Sequence, residues 1–174
     1  MSTSVLCLMV ITGMTGSDGS ALRHDQDDVS ARIVSATNTL MGRQDTPPTM
    51  EAIVGAVLEL LDIAAAVTPD NQYKAEIQNR IAVAKERIRD GSIFDDKARQ
   101  YLSFAYRMMT DGRKYQMPEE LDDFVTPAEL QEKTLRYMEG IVTESLRSLE
   151  EGDSQRTARL LLEIVLMAIT PHPG

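Results

Sequence analysis

Three carboxylates stand where carboxylates are rare. Glu59 and Asp62 lie three residues apart within AVLELLDIAAAV, and Glu163 lies within LLLEIVLMAI. On a helix, positions i and i+3 share a face. If the two segments pack together, Glu59, Asp62 and Glu163 converge, and such a cluster would hold a cation or a general base of perturbed pKa. The plainer expectation is that each acid marks a solvent-facing edge or pairs with an arginine such as Arg80 or Arg107, because buried acids are usually paired.

A second group lies further along. Six of the eight aromatic residues fall between Phe94 and Phe124, with Arg107, Arg113 and Lys114 interleaved. Phe94, Tyr101 and Phe104 recur near helical spacing and are expected in the core. Tyr106 directly follows a core position, so its ring is expected to face outward. Tyr106, Arg113 and Tyr115 are therefore the candidate binding residues, since an exposed tyrosine beside arginine suits an acidic or aromatic group. The alternative is that Tyr115 and Phe124 pin the connection to the body.

Other chemistry finds little support. The histidines are His24 and His172, neither preceded by a Glu three residues earlier, and no H-E-x-x-H occurs, so no metal site is assigned. Neither is placed beside a serine for nucleophilic catalysis. Cys7 is the single cysteine, which excludes a disulfide framework, a cysteine zinc site and a haem attachment pair. TGMTGSDG, residues 12–19, superficially resembles a dinucleotide loop, but that loop needs a following helix and a second parallel strand, and no later segment reads as a strand. No P-loop lysine follows the glycines. No cofactor is assigned.

The elements that position these residues are helices. Apolar residues recur at helical spacing over 25–41, 49–67, 70–89, 92–110, 127–151 and 153–169, with stops at Gly42, Pro69, Gly91, Gly112, Gly152 and Pro171. Residues 49–67 and 153–169 are apolar nearly all round, so these two helices are expected at the centre of the bundle. The strings AAAVTP and LMAITP close them and raise the idea of two related hairpins, although Thr-Pro stops helices in general. Residues 111–126 form the one long connection and carry the acids Glu119, Glu120, Asp122 and Asp123 without the spacing of an EF-hand loop.

The fold expected is all-α: one bundle of about five to six helices over residues 22–174, a length ordinary for a single domain. Residues 4–14, SVLCLMVITGM, have the length of a signal-peptide apolar region and are too short to span a bilayer. Gly19-Ser20-Ala21 supplies small residues for a cut after Ala21. Residues 1–21 therefore read as a signal peptide or a disordered N-terminus. No Lys or Arg precedes the run, so the export reading expects either an upstream start or a signal lacking its basic leader.

A net charge of -9 argues against nucleic acid and against an anionic membrane surface. The leading expectation is a small exported helical bundle with a binding role, periplasmic or extracellular, whose partner is a protein or a small ligand. An intracellular adaptor using its N-terminus as a docking segment, and a carboxylate-based enzyme in a bundle cavity, are the alternatives.

Overall fold

The structure, a computed structural model, describes residues 18–43, 45–121 and 127–171, with side chains from Asp25 onward other than those of Glu120 and Pro127. The apolar run at 4–14, His172, and Asp122, Asp123 and Phe124 lie outside the described residues. Among those described, the chain forms six α-helices and no strand, as the periodicity predicts. They are α1 (Asp18–Leu40), α2 (Met50–Val67), α3 (Lys74–Asp90), α4 (Asp96–Met109), α5 (Pro127–Glu150) and α6 (Ser154–Ile169), with a 3-10 turn at Glu119–Leu121. No described helix is long and apolar enough to cross a membrane.

The termini of these helices follow from local chemistry. Thr49 caps α2 by accepting from the Ala52 amide at 3.1 Å, and Asp153 caps α6 by accepting from the Arg156 amide at 3.2 Å. Gly42 and Gly152 stop α1 and α5 with φ of +69° and +79°, a conformation that costs a side-chain-bearing residue but not glycine. After each glycine the next amide reaches back to close the turn, Arg43 to the Asn38 carbonyl and Asp153 to the Ser148 carbonyl, both at 2.9 Å.

Two starts differ from the sequence expectation. α4 begins at Asp96 and not near Ser92, because Asp95 is the stronger cap: its carboxylate accepts from the Ala98 amide at 2.8 Å and receives the Arg87 guanidinium at 2.8 and 3.1 Å. Ser92 instead makes its own turn by accepting from the Phe94 amide, which leaves Phe94 outside the helix and exposed. α1 begins at Asp18 and not near Asp25. A cut after Ala21 would therefore fall within its first turn.

The helices pack in three pairs. α1 lies against α5, α2 against α6, and α3 against α4. The hairpins α1–α2 and α5–α6 join the first two pairs, and contacts of α3 with α2 and of α4 with α6 attach the third. α2 and α6 are thus covered on three sides, which is why a nearly all-round apolar surface is stable on them. Leu61 of α2 and Leu162 of α6 are 0% exposed. The buried hydroxyls of Ser148 and Thr157 satisfy each other at 2.8 Å between α5 and α6.

Candidate functional site

The three carboxylates do not form a site. Glu59 pairs with Arg32 of α1, Asp62 with Lys85 of α3, and Glu163 with Arg159 one turn earlier on α6. Each acid is held by a different cation on a different helix. Glu59 and Asp62 sit near solvent, at 38% and 47% side-chain exposure, so their charges are paired at the edges of α2 and not gathered in a cavity. The convergence of Glu59, Asp62 and Glu163 is therefore corrected. The geometric cause is that α2 turns these two acids toward α1 and α3, its neighbours on either side, and not toward α6.

Tyr106 is also corrected. It is 8% exposed and belongs to the core. The buried residues of α4 are Ala98, Leu102, Ala105, Tyr106 and Met109, spaced as i, i+4, i+7, i+8 and i+11. That is a regular helical stripe. α4 must face both α3 and α6, so its apolar face is wide enough to include Tyr106. Phe104 falls outside this phase and is 48% exposed, against the expectation that it would be core. Arranging α4 on this five-position stripe would have found both.

Tyr106 and Tyr115 pack edge to face, with ring centroids 5.8 Å apart and planes at 88°. The Tyr106 hydroxyl donates to Glu163 Oε2 at 3.3 Å. Burial, then the nearby Glu163 charge, raises the pKa of Tyr106. The same two causes, burial first, raise that of Tyr115 further. Both phenols therefore stay neutral at physiological pH and act as packing and hydrogen-bonding groups. They anchor the start of the connection to α6 through Glu163. Arg113 serves the same turn, its Nε donating to the Thr110 carbonyl at 3.3 Å. The buried Thr110 hydroxyl lies 2.9 Å from the Tyr106 carbonyl and 3.0 Å from that of Arg113. Tyr106, Arg113 and Tyr115 are thus neighbours, but Tyr106 lies beneath the surface that the other two reach.

The outer side of this anchor carries the distinctive surface. The guanidinium of Arg80, on α3, lies 4.6 Å from the centre of the exposed Phe104 ring, and that of Arg107 lies 5.7 Å from it. Beside them a groove of about 220 Å³ is lined by Gln100, Ser103, Phe104, Arg107, Lys114 and Tyr115. Among the described residues, every arginine with a described side chain pairs with a carboxylate except Arg107 and Arg113. Lys114 makes no ion pair either and is exposed.

A larger groove of about 880 Å³ lies between α1 and α5. Its walls include Asp27 and Glu150, and the one cation among its described lining residues, Arg147, is already paired with Glu144 at 2.8 Å. Among the described residues it offers no free cation to a ligand, and its acids Asp27 and Glu150 have no ion-pair partner. Among the described residues no cluster of three or more His, Cys, Asp or Glu side chains is placed to hold a metal ion. Comparison of the chain with protein-family models, with curated proteins and with solved structures finds no match in any of the three.

Proposed function

We propose that this protein is a small exported helical bundle that works by binding a partner polypeptide, through the face built from Phe104, Arg107, Lys114 and Tyr115. One observation carries the reading. The chain has 27 acids and 18 Lys and Arg, so cations are the scarce charge, yet Arg107 and Lys114, beside the exposed Phe104, have no carboxylate partner among the described residues. Leaving scarce cations unpaired around an exposed ring forgoes stabilisation, and a binding face is the common reason for such a patch. Tyr106, buried beneath, supports Tyr115 and so the shape of this face. The groove volume, about 220 Å³, is below the roughly 300–1,000 Å³ of pockets that enclose a small molecule, which favours a side chain of a larger partner.

Export rests on the apolar run at 4–14 and the small residues before Leu22. Mass spectrometry of the N-terminus from the native host tests it, and a mature chain retaining residues 4–14 would overturn it. The binding reading is tested by capture from native-host extract with the full chain and with Phe104→Ala. The variant is expected to keep its melting temperature and lose the partner. Equal capture by both chains would remove this face from consideration.

A further inference from the structure

The nature of the partner can be read from the charges at this face, an inference that rests on the binding reading above. We propose that the ligand is an acidic polypeptide segment, one that places an apolar side chain against Phe104 and carboxylates against Arg107 and Lys114. Three features of the site select it.

The first is sign. On a chain of net charge -9, an acidic partner is repelled at long range, so a local attractive patch is needed to admit one. Arg107 and Lys114 supply that patch, and no described carboxylate neutralises them. The second is preorganisation. A guanidinium resting on an aromatic ring keeps its N–H groups in the ring plane's neighbourhood and free at their edges, so it receives a carboxylate without first being ordered. Arg107 lies over Phe104 in this way. Arg80 lies over the same ring but already pairs with Glu76 at 2.8 Å, so it fixes the ring and leaves the open position to Arg107. The third is the wall. Tyr115 closes the groove on one side and is itself locked against Tyr106, so the groove is formed before any ligand arrives.

The test uses the full chain and a fluorescein-labelled peptide of alternating glutamate and leucine, followed by fluorescence anisotropy. Saturable binding is expected, weakening as salt is raised from about 0.05 to about 0.5 M because the contacts are between exposed charges. Arg107→Glu with Lys114→Glu should weaken it about tenfold or more. The neutral pair Arg107→Gln with Lys114→Gln should fall between the two, and both doubles should melt with the parent chain. A peptide of alternating lysine and leucine should not bind. Absence of binding by the acidic peptide, equal binding of the lysine peptide, or indifference to the charge reversals would each overturn the inference. So would full displacement by inorganic phosphate at concentrations where glutamate-rich peptide competes, which would mark a site for a small anion. The two readings fail separately. If the charge-reversed chain still captures its native-host partner while Phe104→Ala does not, the face stands and the acidic ligand is wrong. If neither variant loses the partner, the face itself is wrong.

Discussion

Replacing Tyr106 by alanine separates a core anchor from a surface binding residue. The ring is 8% exposed, so its removal is a large-to-small substitution in a packed site, of the class that costs about 3–5 kcal/mol for an aromatic residue. It also deletes the edge-to-face contact with Tyr115, worth about 0.5–1.5 kcal/mol in its own right and part of that same range here. For a chain of this length each kcal/mol moves the melting temperature by roughly 2–4 °C, so Tyr106→Ala should melt about 6–20 °C lower. Tyr106→Phe keeps the ring and removes only a 3.3 Å hydrogen bond to Glu163, whose carboxylate retains Arg159. Because no buried charge is stranded, that variant should cost about 1 kcal/mol. Thermal unfolding followed by circular dichroism measures both, and amide exchange over 111–117 should quicken selectively in the alanine variant as the connection loses its anchor. A Tyr106→Ala chain within about 1 kcal/mol of the parent would show that the ring does not pack as described, and would return it to the surface.

The centre of the bundle makes a parallel claim: Leu61→Ala and Leu162→Ala, both at fully buried sites, should each lower stability by about 2–5 kcal/mol in denaturant titration, and a loss below about 1 kcal/mol at either would contradict the central placement of α2 or α6. Acid sensitivity should trace to the cap of α4. The Arg87 guanidinium, then the Ala98 amide, hold Asp95 down to about 2, so its contribution is complete above the ordinary carboxylate pKa of about 4 and disappears as pH falls through about 2. The melting-temperature gap between parent and Asp95→Asn should therefore be constant near neutrality and close progressively below pH about 4, and a gap undiminished near pH 2 would contradict this origin. A chain beginning at Leu22 lacks the first turn of α1 and should melt cooperatively within about 5 °C of the full chain; a larger fall would show that residues 1–21 contribute to the fold.

The helices were legible because their signals are local. Thr49, Asp153, Gly42 and Gly152 act on hydrogen bonds a few residues away, and the spacing of apolar residues along α2 and α6 states that each is surrounded. The start of α4 was missed for a reason that is not local in sequence. Ser92 and Asp95 both suit an N-cap, and the choice fell to Asp95 because Arg87, at the end of the preceding helix, turns back to meet it. The aromatic residues of α4 were missed by a small rotation. A stripe through Tyr101 and Phe104 differs from the observed one centred on Leu102 and Met109 by about 100°, one residue of helical turn, and only contact with two neighbouring helices decides between them.

Sequence alone determined that this chain folds into α-helices, where most of them stop, and which two lie at the centre, because helix propensity, caps and apolar periodicity act within a turn or two of each residue. Tertiary structure decided that Glu59 meets Arg32 and Asp62 meets Lys85, that Tyr106 goes inside while Phe104 stays out, and that Arg107, Arg113 and Lys114 have no carboxylate partner among the described residues. Those outcomes depend on which helix faces which, across separations such as the 57 residues between Tyr106 and Glu163. Ionic contacts between helices, such as Arg32 with Glu59 and Lys85 with Asp62, leave no periodic trace in the chain, so only the packed arrangement selects among the partners each cation can reach.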